Sequence, residues 1–281
     1  MEKIALVTDS TADLTMAMQE DFKAHVIPLK ICFDQQEYFD GELTSEEFYQ
    51  SLEVAPELPR SSQPSPGDFI ALYDRLLKKH DKIISIHLSS ALSGTVNTAR
   101  LAAETLQRNI YVVDSKTISL GIGLMVGEAA RCIGEGMHAS HVLERLQLVR
   151  KNLETLFTLN TLEYLHKGGR IGKVTSLLGS ILNIKPIVQV DDEGVYIPVG
   201  KARSQNRALE QIVQRIEQLA KGRKIKTLAV GHGAALDAAD KLKMALEHTF
   251  KTKVTFFTQV GAVIGVHTGP GTVGAAVQFN C

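Results

Sequence analysis

The sequence contains no tryptophan, only three cysteines and no net formal charge. Cys32, Cys132 and Cys281 are far apart, odd in number and form no Cys-x-x-Cys pair, which argues against a disulfide framework or a zinc site. Lys plus Arg number 31 and Asp plus Glu number 31, so no global field attracts nucleic acid or an anionic membrane. These absences predict a metal-free protein with reduced thiols and no polyanionic partner.

Long hydrophobic runs are also missing. The most apolar segments, Ile118–Val126 and Val260–Val266, fall short of the roughly 20 residues that span a bilayer. The first residues lead directly into a predicted strand, without the basic stretch and longer apolar run of a signal peptide. We therefore expect a cytoplasmic protein.

In the first half of the chain, short β-branched runs alternate with helical patterns, which is typical of β-α units around a parallel sheet. The segment Val26–Phe39 is interpreted instead as an extended pair that turns at Asp34-Gln35-Gln36. The predicted strands are Ile4–Thr8, Ile83–His87 and Ile110–Val113, and the predicted helices lie near Asp13–Phe22, Ser45–Leu52, Pro66–Lys79, Gly94–Leu106 and Leu120–Gly136.

The pattern changes near residue 153. A predicted hairpin joins Ile184–Val190 to Val195–Val199 across a turn at Asp191–Gly194, which favours a second sheet with mixed pairing. We therefore expect an α/β fold of two domains: an N-terminal domain of parallel β-α units at residues 1–153, and a smaller C-terminal domain with a mixed sheet and helices at residues 154–281.

Small hydroxyl residues and glycines follow each predicted strand of the first half. They are Thr8-Asp9-Ser10, the run from His87 to Thr95, and Val113-Asp114-Ser115. In an open parallel sheet these strand ends face one crevice, the usual position of a ligand. The helix after Ser93-Gly94-Thr95 would direct free backbone N–H groups and its positive dipole end at that crevice. The pattern predicts a place that stabilises an anion.

Two further polar segments contain stiff prolines, Ser61–Pro66 and His267–Gly271. Proline limits the freedom of a loop, so hydroxyls beside it are ordered at lower entropic cost. A histidine in a Gly/Pro loop can donate to a carboxylate and titrates near neutrality, which makes His267 a candidate ligand contact. A purely structural role for His267 stays open at this point.

Two glycine-rich stretches resemble nucleotide-binding motifs of enzymes, but their spacing does not match. The stretch Gly168–Val174 lacks one residue of a Walker motif and ends in Val, and Gly121–Gly127 misses the dinucleotide fingerprint. Neither Gly-x-Ser-x-Gly nor His-Glu-x-x-His occurs. A Ser93/His267 hydrolase with Asp9 or Asp114 orienting the histidine stays open, because such triads are recognised by geometry rather than by sequence.

Taken in order along the chain, these polar segments resemble the motifs of the DegV family, whose members include the fatty-acid-binding subunit of bacterial fatty acid kinase. The resemblance covers essentially the whole chain and also includes a Gly-Gly-Arg segment. The matching segments are Thr8–Leu14, Ser61–Pro66, His87–Ser90 with Ser93–Thr95, Leu162–Ile171 and His267–Gly271.

The resemblance implies two α/β domains with a long-chain fatty acid (C14–C18) at their interface, its tail in an apolar tunnel. By motif position, the carboxylate would be bound by residues of two loops, with a histidine nearby: Ser61, Ser62, Ser93, Gly94, Thr95 and His267. The family loop commonly begins Thr-Ser-Gln-Pro, whereas Ser61 stands here in the Thr position, so the hydroxyl is kept and the methyl is lost.

The resemblance also implies a partner. By this resemblance the chain would act as a bacterial carrier without enzymatic activity or cofactor, and would present the fatty acid to an ATP-binding kinase subunit. The lack of a phosphate-binding motif in the chain agrees with that role. The product would be an acyl phosphate for phospholipid synthesis, and transient membrane contact is compatible with this role. Arg170, Lys201 and Arg203 are candidates for partner docking or product stabilisation, and solvated surface charge is the alternative. A Ser/His acyl hydrolase or transferase, or a lipid-responsive adaptor without a kinase, are the competing hypotheses.

Overall fold

The computed structural model describes residues 2–33, 36–177 and 184–280. The strands are β1 (Ile4–Asp9), β2 (Ala24–Ile27), β3 (Lys30–Phe33), β4 (Gln36–Phe39), β5 (Arg60–Ser62), β6 (Lys82–His87), β7 (Ile110–Asp114), β8 (Leu153–Thr158), β9 (Lys185–Val190), β10 (Tyr196–Ala202), β11 (Ile225–His232), β12 (Val254–Gln259) and β13 (Val273–Phe279). The helices are α1 (Met16–Phe22), α2 (Ser45–Val54), α3 (Pro66–Leu77), α4 (Thr95–Leu106), α5 (Leu120–Gly134), α6 (Ala139–Lys151), α7 (Glu163–Lys167), α8 (Gln205–Ala220), α9 (Leu236–Phe250) and α10 (Ala262–Thr268).

The first sheet is parallel and has the strand order β2-β1-β6-β7. All six residues of β1 are buried, as expected for a strand covered on both faces. Helices α3 and α4 pack together near this sheet, and α3 begins with a capping box between Ser65 and Asp68 and with Pro66 in its first turn. The predicted parallel sheet of β-α units is confirmed.

A small antiparallel sheet has the strand order β4-β3-β5 and is formed by residues between β2 and β6 of the parallel sheet. It carries part of the site described below. The register pairs Ile31 of β3 with Tyr38 of β4 and with Ser61 of β5. The predicted extended pair within Val26–Phe39 is therefore confirmed, while its proposed turn at Asp34 and Gln35 lies outside the described residues.

The sheet of the C-terminal half is mixed and has the order β10-β9-β8-β13-β11-β12. Only β11 and β12 run parallel, and the other neighbours are antiparallel. The predicted hairpin joins β9 to β10, and the Gly194 N–H donates to the Asp191 carbonyl at 2.9 Å. All seven residues of β13 are buried, because this strand lies in the interior of the sheet between β8 and β11. The predicted mixed sheet is confirmed.

Helix α5 lies between the parallel sheet and the mixed sheet. Ten of its fifteen residues are buried, since it packs against strands of both sheets. One hydrophobic cluster accordingly includes Ile84 of β6, Met125 of α5 and Ala276 of β13. The two halves share this cluster, and the domain boundary near residue 153 stays a prediction.

A buried carboxylate braces the same helix. Glu128 of α5 accepts hydrogen bonds from Arg131, from Arg145 of α6 at 2.7 Å and from Lys226 of β11 at 2.7 Å. These cations hold the pKa of Glu128 at about 2 against the opposing effect of burial. Glu128 thereby fixes α5 to α6 and to the mixed sheet.

No helix in the described part of the chain is long and apolar enough to cross a membrane.

Candidate functional site

The ends of the parallel strands meet as predicted, but their polar groups mostly bind one another. Asp9 at the end of β1 accepts from His87 Nδ1 at 2.9 Å and from the Leu88 N–H at 3.1 Å. His87 Nε2 lies 2.7 Å from Ser85 Oγ, and all three side chains are fully buried. Asp114 at the end of β7 accepts from Ser90. These groups organise the crevice and are already paired within the protein.

His267 does not lie in a Gly/Pro loop as the sequence suggested. The prediction was wrong because Ala262–Thr268 forms helix α10, with His267 in its last turn, and the loop begins only at Gly269. Two carboxyl groups, one buried and one half-buried, hold the start of this helix. The Gly261 N–H donates to Asp13 at 2.8 Å, and the Ala262 N–H donates to Asp40 at 3.1 Å.

Asp13, which accepts a hydrogen bond from the Gly261 N–H at the start of α10, has a raised pKa. Burial raises the pKa of Asp13 to about 8, although hydrogen bonds from Ser119 and from the Gly261 N–H oppose the rise. Asp13 is 7% exposed and belongs to the first half of the chain, whereas α10 belongs to the second. Asp13 therefore links the two halves directly beside the helix that carries His267.

A hydrogen bond between Ser61 and His267 forms the centre of the site. Ser61 lies on β5, and its Oγ is 2.7 Å from His267 Nε2. The Ser61 hydroxyl, standing where the family commonly has Thr, thus still reaches the imidazole. Burial, and secondarily the nearby charge of Arg170, lower the pKa of His267 to about 4, so the ring is neutral at pH 7.

The neutral ring has two tautomers, and one fits its surroundings better. His267 Nδ1 is buried without a hydrogen-bond partner among the described residues. An unpaired acceptor is less costly there than an unpaired N–H, so we assign the proton to Nε2. Nε2–H then donates to Ser61, which leaves the Ser61 O–H free to donate to a ligand oxygen.

A cavity of about 240 Å³ extends from this pair between the two halves of the chain. Its polar end carries the serines and His267, and the remainder of its wall is mainly aliphatic. The lining residues are Leu29, Ser61, Ser62, Gln63, Leu88, Leu92, Ser93, Ile118, Arg170, Tyr196, Val263, Ile264, His267 and Thr268. A polar notch above an apolar cavity suits an amphipathic ligand with one polar end.

Arg170 supplies the positive charge of the notch. Its Nε donates to the Leu92 carbonyl at 3.3 Å and its Nη1 donates to the Gly168 carbonyl at 2.7 Å. Both acceptors are neutral, so within the described residues the guanidinium has no carboxylate partner. Since His267 is neutral, Arg170 is positioned to balance the charge of an anionic ligand.

The structure brings together five of the nine predicted contacts, Ser61, Ser62, Ser93, His267 and Arg170, around this cavity. The other four predicted contacts do not line this cavity. Gly94 is the N-cap of α4, and a Cβ built there would lie 2.3 Å from Gln63 Oε1. Thr95 is fully buried and its hydroxyl bonds Ser93 at 2.9 Å. Lys201 on β10 and Arg203 just after it are exposed. They line neither this cavity nor a second, polar groove that adjoins it.

The groove is larger and polar, with a volume of about 770 Å³, and it shares Ser61, Arg170 and His267 with the cavity. Its lining includes three cations and three carboxylates, so their formal charges cancel. They are Arg60, Lys167, Arg170, Glu53, Glu57 and Glu163. The notch therefore has an apolar cavity on one side and a polar groove on the other.

The catalytic triad considered from sequence is not assembled. His267 bonds Ser61 rather than Ser93, and both candidate orienting carboxylates are engaged elsewhere, Asp9 with His87 and Asp114 with Ser90. A triad needs a group that orients the second ring nitrogen, and His267 Nδ1 has no partner among the described residues. This geometry gives no support to a Ser/His hydrolase.

The neutrality of His267 can be measured directly. We expect its imidazole nitrogens to keep the NMR shifts of the Nε2–H tautomer from pH 8 down to about pH 5, because burial and Arg170 both oppose protonation. In Arg170→Gln the pKa should rise, because one cause of its depression is removed. A titration midpoint near the ordinary histidine value in the wild-type protein would contradict the buried, neutral ring.

The fold and the cavity define the class of this protein: an α/β protein built on a parallel sheet, a mixed sheet and a small antiparallel sheet, with a hydroxyl and histidine notch above an apolar cavity. The chain belongs to the DegV family, a family of uncharacterised proteins whose model matches residues 3–280.

Relatives and solved structures agree with this assignment. A DegV domain-containing protein of Staphylococcus aureus is 37% identical over 278 residues, covering 99% of each chain. A DegV family protein of Thermus thermophilus described as binding fatty acid has 36% identity and a TM-score of 0.92, covering 99% of this chain and 100% of its own. DegV of Bacillus subtilis, described as a fatty-acid-binding protein, has 33% identity and a TM-score of 0.90 with full coverage of both chains.

Proposed function

We propose that the protein binds one long-chain fatty acid between the two halves of the chain, with the domain division near residue 153. The observation that carries the proposal is the cavity of about 240 Å³, whose polar end holds Ser61, His267 and Arg170 and whose remaining wall is mainly aliphatic. The fatty-acid binding described for the relatives from Thermus thermophilus and Bacillus subtilis supports the same ligand class.

Binding divides into a polar and an apolar part. The carboxylate accepts a hydrogen bond from the Ser61 O–H, whose oxygen is held by His267, and it lies near the Ser62 and Ser93 hydroxyls and the charge of Arg170. Thr95 acts indirectly by positioning Ser93. Gly94 leaves room for the Gln63 side chain, which a Cβ at this position would contact. Each buried methylene of the tail contributes about 0.8 kcal/mol, so a long chain provides most of the affinity.

The same site suits a carrier that presents its ligand in the cytoplasm to a separate, ATP-dependent fatty acid kinase, which forms an acyl phosphate. Transfer requires access to the carboxylate, and the polar groove of about 770 Å³ reaches the notch through Ser61, Arg170 and His267. Lys201 and Arg203 are exposed outside the groove and are assigned to partner docking.

Native mass spectrometry of protein purified from bacteria tests the binding step. We expect a co-purified long-chain fatty acid, retained several-fold less well by His267→Ala because one hydrogen bond at the notch is worth about 0.5–1.5 kcal/mol. His248→Ala, which changes an exposed histidine of α9, serves as the matched control. A wild-type chain that carries no fatty acid and does not bind added oleate would rule the proposal out.

The transfer step is tested separately, by incubating the loaded protein with ATP and host lysate and trapping acyl phosphate with hydroxylamine. An acyl hydroxamate that requires both the protein and ATP supports the kinase partner. Binding without hydroxamate, together with a fatty-acid-dependent partner that lacks ATP-binding activity, would favour the adaptor hypothesis.

A further inference from the structure

A second, smaller cavity continues from the main one, and we propose that it sets the length of acyl chain that the protein holds. This inference rests on the proposed function. The deep cavity has a volume of about 30 Å³ and lies between the start of α5 and strands β8, β11 and β13 of the mixed sheet. Ile118, Ile264 and Thr268 line both cavities, so the two spaces adjoin at these residues.

The deep cavity is apolar although four hydroxyl side chains line it. Each hydroxyl is already hydrogen-bonded within the protein, which leaves mainly carbon atoms facing the space. Ser119 donates to Asp13, Thr155 pairs with Thr117 at 2.9 Å, Thr268 donates to the Ile264 carbonyl at 3.0 Å, and Thr272 donates to the Thr268 carbonyl at 2.9 Å. The deep cavity is therefore suited to the methyl end of a chain rather than to a polar group.

The volume limits what can enter. A space of about 30 Å³ corresponds to roughly two or three water-sized spheres, so it admits about the last two carbons of a tail. Its wall includes Leu156 and Phe157 of β8, which are buried. A longer chain would have to displace such close-packed side chains, which protein interiors resist.

Two glycines form part of the wall and identify where the cavity can be filled. Gly231 of β11 and Gly274 of β13 are cross-strand partners, and both line the deep cavity. A Cβ at Gly274 would lie 2.9 Å from the Leu156 backbone carbonyl, which cannot easily move. The three atoms nearest to a Cβ at Gly231 all belong to the Leu120 side chain, the nearest at 3.1 Å. A methyl at Gly231 therefore takes space from the deep cavity at moderate cost to the fold.

Two substitutions with opposite effects test the proposal, using saturated fatty acids of graded length. Wild-type affinity should rise about fourfold for each added methylene and stop rising once the deep cavity is full. In Gly231→Ala the rise should stop about one or two carbons earlier, because the added methyl group occupies much of the deep cavity. In Leu120→Ala the rise should continue to longer chains, because the side chain removed lines the same cavity.

Leu124→Ala is the matched control. Leu124 lies one turn further along α5, is buried in the same cluster as Leu120 and lines neither cavity, so it reports a general loss of packing. If affinity stops rising at one chain length in all these proteins, the deep cavity does not set the limit. Should Gly231→Ala fail to fold, the comparison of Leu120→Ala with Leu124→Ala still decides. A wild-type protein that binds no acid of any length would instead refute the proposed function.

Discussion

Arg170→Gln is expected to weaken fatty-acid binding about tenfold to a hundredfold, since a hydrogen bond to a charged group contributes about 1.5–3 kcal/mol. The guanidinium lies on the cavity wall, its two donors bind neutral carbonyls, and it forms no ion pair with a carboxylate of the described residues. Glutamine keeps polarity and much of the side-chain length but removes the charge. Displacement of a fluorescent fatty acid at fixed ionic strength measures the change.

A long-chain alcohol of equal length separates the charge from the packing. It has the same tail but no charge, so its affinity should be nearly equal in wild type and Arg170→Gln. Arg207→Gln, which removes an exposed guanidinium paired with Glu210, should leave both ligands unaffected. Equal losses for the acid and the alcohol would indicate a collapsed cavity, and no loss for the acid would place the carboxylate away from Arg170.

Gly168→Ala is expected to have the second large effect, a loss of binding of several-fold to about tenfold with the fold retained. The backbone at Gly168 has φ −74°, which alanine adopts readily. A Cβ there would lie 2.4 Å from His267 Nδ1, however, and 2.9 Å from the Tyr164 carbonyl. The imidazole must move, and its hydrogen bond with Ser61 is lost. Overpacking of this kind costs about 1–3 kcal/mol of stability.

A double substitution attributes that effect to the imidazole. In Gly168→Ala combined with His267→Ala, part of the lost stability should return, because the clashing ring is gone, while binding should stay weak. Gly134→Ala is the control, since a Cβ there has no atom within 4 Å. Urea unfolding and fatty-acid displacement are both required. Normal binding by Gly168→Ala would mean that the Ser61–His267 pair is not part of the notch.

The regular elements of the fold were predictable because their patterns are local. The predicted strand Ile4–Thr8 and helix Ser45–Leu52 differ from the structure by no more than two residues at either end. Helix α10 was missed because it has only seven residues and reads as an apolar run followed by Gly and Pro. The strand Arg60–Ser62 was missed because its three polar residues are ordered by pairing with β3, which a local pattern does not reveal.

The polar part of the site was predictable in kind and only partly in position. Ser61 and His267 are 206 residues apart and meet because β5 and α10 are neighbours, which the family resemblance implied and spacing alone did not. The apolar wall had no such signal. Ile118, Ile264 and Tyr196 are ordinary buried residues in sequence, and only tertiary packing makes them line a cavity.

The interior position of β13 determines when the cavity can form during synthesis. β13 pairs with β8 on one side and with β11 on the other, so β8–β10 and β11–β12 remain two unjoined pieces until Val273–Phe279 has been made. The parallel sheet is complete by Asp114 and can fold first. The pairing of β8 with β13 closes a long loop, which is slow and leaves strand edges exposed in the meantime. Because Gly274 and Ala275 form part of the deep cavity wall, a nascent chain acquires its full ligand-binding capacity only after this late strand has inserted.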